Sequence, residues 1–218
     1  GFQGLGTGRL FTNNIPSPLK VEFGKLSTEK LNIWNDVNHF ISDWYSPNDK
    51  MVLETSGSTG KPKSIKVKKE WMKNSAQLTG KTFELMEGDS TLLCMPMKYV
   101  AGKMTVVRAL ELELDLKVIE PCSNPLKNIN KPINFAAMVP LQLENTLNDL
   151  DKIKTLIVGG GQVNSKLVEK LQNVSTQVYE TYGMTETLTH VAIKPLNGPS
   201  KSDVFRALDD IHFELDGR

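Results

Sequence analysis

The chain has 218 residues, of which 39% are hydrophobic and 23% are charged, so it can bury a core and is too apolar to be disordered. Its 26 basic and 25 acidic residues leave a net charge of +1. This balance excludes proteins that work mainly through bulk charge, such as general nucleic-acid coats and polybasic membrane binders. The two cysteines, Cys94 and Cys122, are too few for a disulfide scaffold and lack metal-ligand spacing.

The sequence has no apolar run close to the roughly 20 residues of a membrane span, and it has no charged-then-apolar leader. We therefore expect a cytoplasmic protein without a membrane partner. Residues 1–14 are glycine-rich and are expected to be flexible or vector-derived, with the folded domain over 15–218. Gly4, Gly6 and Gly8 are spaced like a nucleotide loop, but no strand precedes them, so we assign them no function.

Beyond this segment, short apolar runs alternate with longer helical periods. Apolar residues at three- and four-residue spacing predict a helix over 28–45, with Ser27 or Thr28 as its cap. Strands are predicted over 51–55, 64–68, 91–95, 116–120, 134–139, 155–158, 176–180 and 188–193. Further helices are predicted over 70–86, 102–113, 140–149 and 164–172, the last capped by Asn164. Strands separated by helices indicate an α/β fold with a largely parallel sheet.

One short segment concentrates glycine, hydroxyl and lysine side chains: Thr55, Ser56, Gly57, Ser58, Thr59, Gly60, Lys61, Pro62 and Lys63. The glycines permit backbone conformations that other residues avoid, and the hydroxyls and loop amides can donate hydrogen bonds to phosphate oxygens. The two lysines supply positive charge where a polyphosphate would lie. The segment is therefore predicted to bind phosphate.

The segment is not a Walker loop, because Thr55 occupies the first glycine position and Pro62 replaces the magnesium-binding hydroxyl. Residues 64–68 alternate as in a strand, so the element is predicted to be strand–loop–strand. A flexible surface hairpin and a nucleic-acid contact are the weaker alternatives. Strong nonspecific DNA binding needs roughly six to ten phosphate contacts, which favours a solvated edge for Lys66 and Lys68.

This loop resembles the phosphate-binding signature of the adenylate-forming superfamily. Two further segments agree with it in kind and order. Residues 156–163 are similar to the strand and glycine turn that packs against adenine, and residues 179–187 are similar to the second signature, Tyr-Gly-Met-Thr-Glu. The resemblance covers about residues 46 to 215. It implies the large-domain core of that superfamily, with mainly parallel sheets flanked by helices and without the C-terminal small domain.

The resemblance also implies roles for individual residues. Thr185 and Glu186 are implied to be catalytic, with Thr185 on the α-phosphate and Glu186 as the magnesium ligand. The residues implied to bind the nucleotide are Thr55, Ser56, Gly57, Ser58, Thr59, Gly60, Lys61, Lys63, Gly159, Gly160, Gly161, Gln162, Tyr182, Gly183, Met184 and Thr185. Among these, Tyr182 offers a ring on which adenine can stack.

Within the superfamily, residues 95–104 and 139–143 are similar to segments of the o-succinylbenzoate–CoA ligases, which serve menaquinone biosynthesis. The implied acyl-binding residues are Lys98, Tyr99, Gly102, Lys103 and His190. Tyr99 stands where many members have a histidine. Either lysine is a candidate partner for a second substrate carboxylate, although a solvated position is commoner for lysine. For His190 a structural role is favoured over a place in the acyl pocket, and Cys94 is predicted to be buried and unreactive.

The implied activity joins a small carboxylate to CoA at the expense of ATP, with Mg²⁺, through an acyl-adenylate. The chain is expected to be a large-domain fragment that turns over poorly alone, because the ribose-binding acid and the catalytic lysine of the superfamily follow this region. Another acyl-CoA synthetase or adenylation enzyme, or a noncatalytic nucleotide-binding module, remains an alternative. No nucleic-acid partner is expected, and a homodimer is left open.

Overall fold

The computed structural model of the chain describes residues 7–9, 20–23, 30–54 and 63–214. The predicted phosphate-loop residues Thr55, Ser56, Gly57, Ser58, Thr59, Gly60 and Lys61 lie outside the described residues, as do Ser27 and Thr28.

Strands and helices alternate along most of the described chain. The strands are β1 (Thr7–Arg9), β2 (Lys20–Phe23), β3 (Lys50–Glu54), β4 (Ser64–Lys68), β5 (Ser90–Leu93), β6 (Asp115–Val118), β7 (Ile133–Met138), β8 (Ile153–Val158), β9 (Gln177–Gly183), β10 (His190–Pro195) and β11 (Arg206–Ala207). The α-helices are α1 (Lys30–Tyr45), α2 (Lys69–Phe83), α3 (Val100–Glu111), α4 (Pro140–Thr146) and α5 (Ser165–Lys170). The 3₁₀ turns Leu147–Lys152 and Leu171–Asn173 follow α4 and α5.

Within the described residues, one sheet has the strand order β1-β2-β6-β5-β7-β8-β9-β10-β11. The six strands from β2 to β9 in this order pair in parallel, and β1, β10 and β11 pair antiparallel to their neighbours. The prediction of an α/β fold with a largely parallel sheet is therefore confirmed. The sequence analysis did not predict β1, β2 or β11, and β1 lies in the segment that was expected to be flexible.

The strands β3 and β4 form a separate antiparallel hairpin in which Glu54 pairs with Ser64. This register confirms the predicted strand–loop–strand order around the phosphate loop. Asn164 caps α5, because its Oδ1 accepts a hydrogen bond from the Leu167 amide at 2.9 Å. The predicted helix over 140–149 is shorter than expected, since it ends at Thr146 and continues as a 3₁₀ turn.

Two buried clusters hold the layers together. The first joins α1, the β3–β4 hairpin, α2 and α3 through side chains that include Trp44, Leu53, Met72 and Met104. The second surrounds β7 and β8 and includes Phe135, Leu143, Leu156 and Leu167. Because neighbouring parallel strands end at one edge of the sheet, the segments after β5, β7, β8 and β9 meet there. No described helix combines the length and apolarity that a membrane crossing needs.

Candidate active site

A cavity of about 1310 Å³ lies where these segments meet. Its wall includes Glu54, the last residue of β3, and Lys63, the predicted loop residue that directly precedes β4. Thr185 and Glu186 line the same cavity. The described edges of the loop and the second signature therefore share one cleft, which is the arrangement that binding of a single nucleotide requires.

The glycine turn after β8 forms one wall of the cleft. The amide of Gly159 donates a hydrogen bond to the carbonyl of Met138 at 3.1 Å, and the Thr181 hydroxyl donates to the carbonyl of Val158 at 3.1 Å. A Cβ on Gly159 would lie 2.6 Å from Oγ1 of Thr181, and Gly160 has a φ of +78°, so both positions favour glycine. The cleft wall includes these two glycines, which leave the backbone accessible to a flat base.

The second signature forms a tight turn that presents the predicted catalytic pair. The amide of Thr187 donates to the carbonyl of Met184 at 3.2 Å, which places Thr185 and Glu186 at the two central positions. The Thr187 hydroxyl accepts from the Met184 amide at 3.0 Å and lies 2.8 Å from the carbonyl of Thr189. A side chain at Gly183 would overlap the Thr189 carbonyl, so glycine is required where the turn begins. Thr185 is buried, whereas Glu186 is exposed in the cleft.

Three nucleotide-binding candidates lie outside the described cleft wall. Tyr182 is 52% exposed and has its ring centroid 6.1 Å from that of Phe205. Gly161 and Gln162 follow the glycine turn, and their segment is anchored by the Val163 amide, which donates to Oε1 of Glu180 at 2.8 Å. These residues border the site rather than line it.

The acyl-binding candidates separate into two groups. Tyr99 lines the cleft, but Lys98 and Lys103 line a second cavity of about 500 Å³ instead. Lys103 donates from Nζ to the carbonyl of Val52 at 3.1 Å, so it ties α3 to the hairpin. Gly102 lies against the backbone of Pro96, where any side chain would clash. The glycine therefore allows α3 to pack closely against the segment that contains Pro96.

Arg108 is a site residue that the sequence analysis missed. It lies on α3, is only 2% exposed and lines the cleft. Its Nε donates to Oγ1 of Thr79 at 3.2 Å, and no carboxylate of the described residues forms a salt bridge with it. Burial lowers the pKa of the guanidinium from 12.5 to about 10. The sequence feature that could have indicated a buried arginine is a single charged residue inside the mostly apolar run 104–110.

His190 also lines the cleft and is buried, with its ring centroid 6.1 Å from that of Phe83. Burial, followed by the positive charge of Arg108, lowers the pKa of this histidine from 6.5 to about 3. The imidazole is therefore neutral at physiological pH. Its Nε2 is buried and has no hydrogen-bond partner among the residues that the structure describes.

The side-chain amide of Gln142 joins three loops at the edge of the cleft. Its Oε1 accepts from the Val139 amide at 3.2 Å, and its Nε2 donates to the carbonyls of Cys94 and Cys122 at 3.0 and 2.9 Å. The segments after β5, β6 and β7 are thereby held together. Cys94 is fully buried, as predicted, and burial raises the pKa of its thiol to about 12.

A magnesium ion would be held in this cleft together with the phosphates of a nucleotide. The described residues contain no cluster of three or more His, Cys, Asp or Glu side chains that could hold a metal by themselves. Mg²⁺ commonly takes one or two carboxylates and completes its shell with phosphate oxygens and water. The exposed carboxylate of Glu186, on the turn that faces the flanks of the phosphate loop, suits that role.

Comparison with known proteins identifies the family. A profile of the AMP-binding enzyme family matches residues 18–207, and the chain belongs to this family, as its motifs predicted. A 2-succinylbenzoate–CoA ligase from Lactococcus lactis is 28% identical over 178 residues, which are 78% of this chain and 40% of the relative.

Solved structures agree with this fold. An acyl-CoA synthetase (AMP-forming)/AMP-acid ligase II-like protein from Dyadobacter fermentans is 38% identical, with a TM-score of 0.80 over 85% of this chain and 55% of that chain. The o-succinylbenzoate CoA synthetase of Bacillus subtilis, determined with ATP and magnesium ion, is 22% identical with a TM-score of 0.65 over 77% of this chain and 38% of that chain. The chain thus spans about two fifths to a little over half the length of these three relatives.

Proposed function

We propose that this chain is the nucleotide- and acyl-binding part of an enzyme that activates a dicarboxylic acid with ATP and transfers the acyl group to CoA. The acyl substrate proposed is o-succinylbenzoate, so the enzyme is an o-succinylbenzoate–CoA ligase of menaquinone biosynthesis. The observation that carries the substrate class is the buried guanidinium of Arg108 in the cleft wall, without a carboxylate partner among the described residues.

Burying a charged group without a partner costs free energy, so such a residue is expected to serve a ligand. A guanidinium binds a carboxylate through two parallel hydrogen bonds, and the strength of that pair increases where water is excluded. o-Succinylbenzoate has two carboxylates. Arg108 holds one of them, and the other remains available to react with ATP.

The reaction has two steps. A carboxylate oxygen of the substrate attacks the α-phosphorus of ATP, the bond from that phosphorus to the bridging oxygen breaks, and pyrophosphate leaves. The sulfur of CoA then attacks the acyl carbon of the adenylate, AMP leaves, and the thiol proton passes to solvent. Magnesium neutralises charge on the phosphate oxygens when it is bound. The protein supplies position and hydrogen bonds rather than covalent catalysis.

Each wall of the cleft has a part in this scheme. The turn at Gly159 and Gly160 leaves room for adenine against the backbone, and Tyr182 at the rim stacks on it. The hydroxyl of Thr185 donates to an α-phosphate oxygen, and Glu186 holds the magnesium ion. The loop of residues 55–63 holds the β- and γ-phosphates, a role proposed from its sequence and from the position in the cleft of its last residue, Lys63, and of the adjoining Glu54.

The proposal is tested by ligand stabilisation of the whole protein that contains this chain. A nonreactive analogue of o-succinylbenzoyl-adenylate at about 100 times its Kd should add about 2.7 kcal/mol to the free energy of unfolding. A fatty-acyl analogue at the same concentration should add much less, because it leaves Arg108 unpaired. Equal stabilisation by both analogues would refute the substrate assignment, and stabilisation by neither would refute carboxylate activation.

A further inference from the structure

The imidazole nitrogen Nε2 of His190 is a buried polar atom that the described residues leave without a hydrogen-bond partner. Nε2 is buried and makes no hydrogen bond to any described residue, and buried polar groups in folded proteins are nearly always paired. The side chain lines the cleft, so a molecule bound there can supply a hydrogen-bond partner for this nitrogen.

The location of His190 ties it to the reactive turn. It is the first residue of β10, and its Cα pairs with that of Gly183, which begins the turn carrying Thr185 and Glu186. On the side of the helices, the positive charge of Arg108 helps to lower the pKa of the imidazole. The ring centroid of Phe83 lies 6.1 Å from that of His190. His190 therefore lies between the turn of the second signature and the buried cation.

We propose that His190 is a specificity-determining residue whose Nε2–H donates a hydrogen bond to the same substrate carboxylate that Arg108 binds. This inference rests on the proposed function. A carboxylate offers about four lone-pair sites, so a bidentate guanidinium leaves sites free for a further donor. A neutral imidazole supplies that donor without a second buried cation, which would repel Arg108. Its low pKa, about 3, keeps it neutral in the free cleft.

A purely structural role for His190 makes a different prediction. The ring could simply fill space beside Phe83, in which case an aromatic replacement would serve equally well. His190→Phe keeps a ring and removes both nitrogens, whereas His190→Gln keeps a hydrogen-bond donor and removes the ring. The two variants therefore separate packing from hydrogen bonding.

Two acids serve as matched probes in carboxylate-dependent ATP–pyrophosphate exchange by the full-length protein. 2-Succinylbenzoate and 4-oxo-4-phenylbutyrate differ only in the carboxylate on the ring. His190→Phe should raise the KM for 2-succinylbenzoate about tenfold or more, since a hydrogen bond to a charged group is lost. Its KM for 4-oxo-4-phenylbutyrate and its KM for ATP should change less than about threefold. His190→Gln should recover part of the loss.

Equal increases in KM for the two acids, or no increase in His190→Phe, would overturn the role of His190. If the Phe variant unfolds, His190→Leu makes the same comparison with a smaller side chain. Failure of the proposed function gives a different result, because the wild-type protein would then support no exchange or would not distinguish the two acids. A wild type that prefers the diacid, with a His190→Phe variant that keeps the whole preference, would refute this inference alone.

Discussion

Replacing Arg108 with methionine is expected to stabilise the fold while removing the preference for a dicarboxylic acid. The guanidinium is buried in the cleft wall, and burial lowers its pKa from 12.5 to about 10. A difference of this size corresponds to about 3 kcal/mol of unfavourable free energy for the charged form in the empty cleft. Methionine has a long, flexible apolar side chain that can occupy much of the same space.

The loss of the Arg108 hydrogen bond offsets little of this gain. The acceptor, Oγ1 of Thr79, lies 3.2 Å from Nε, but the same hydroxyl also donates to the carbonyl of Ser75 at 2.9 Å. Thr79 therefore keeps a partner in the variant. After allowance for imperfect packing, Arg108→Met should raise the free energy of unfolding by about 1–3 kcal/mol, as when other buried charges are replaced by apolar side chains.

The effect on binding should have the opposite sign. Loss of one partner of a desolvated charge pair costs about 2–5 kcal/mol, which corresponds to at least a thirtyfold weaker affinity for 2-succinylbenzoate. Urea unfolding measures the first quantity, and isothermal titration of the full-length protein measures the second. Lys98→Met is the matched control, because Lys98 is exposed and lines the other cavity. It should change neither quantity appreciably.

One combined result would refute the reasoning. If Arg108→Met lowered the free energy of unfolding by several kcal/mol and retained the affinity for 2-succinylbenzoate, Arg108 would be a structural residue with a partner of its own. Stabilisation together with unchanged affinity would leave the burial argument intact and reject the ligand.

Three further predictions concern the same region. Thr187→Val should lower the rate of ATP–pyrophosphate exchange about tenfold or more, whereas Thr187→Ser should stay near wild type, because the hydroxyl fixes the turn of residues 184–187. A loss in Thr187→Ser with none in Thr187→Val would show that the methyl group matters instead. Since the folded pKa of His190 is depressed to about 3, the unfolded state binds more protons between pH 3 and 6.5. The contribution of His190 to the free energy of unfolding should then fall by about 1.4 kcal/mol for each pH unit between pH 6.5 and about 3. Urea titrations of His190→Gln should lack this contribution. Iodoacetamide should label Cys122 and spare Cys94 in the native protein, because Cys94 is fully buried and its thiol has a pKa of about 12. Peptide mass spectrometry measures the labelling, and modification of Cys94 without urea would show that the core opens.

The sequence predicted most strands and helices because each is a short apolar run or a helical period bounded by polar residues. The hairpin at β3 and β4 and the cap at Asn164 were predictable because their signals are local. The position of β2 was not predictable, since it pairs with β6, more than ninety positions away in the chain. The antiparallel return of β10 along β9 likewise depends on the turn at Met184–Thr187.

The cleft-lining residues that could be predicted from the sequence are those that belong to contiguous motifs. The cleft wall includes Gly159, Gly160, Thr185 and Glu186, and each belongs to a motif that was recognised in the sequence. Of the acyl-binding candidates, Tyr99 and His190 line the cleft, but Arg108 was not predicted, because its burial depends on the phase of α3. Lys103 and Arg108 are five residues apart, which is about 140° around a helix, so they face different cavities. The composition of the segment alone could not decide which cation was buried.

The distribution of charge in the cleft gives a physical basis for choosing diacids over monoacids. Arg108 and His190 are buried, whereas Glu186 is exposed on the turn that faces the hairpin flanks. A dicarboxylic acid can place one carboxylate on the buried guanidinium and still offer the other to the nucleotide. A monocarboxylic acid that lacks the ring carboxylate leaves the buried guanidinium unpaired while its own carboxylate reacts. We therefore expect short aromatic monoacids to react with a higher KM than the matching diacids, a selectivity that Arg108→Met should abolish.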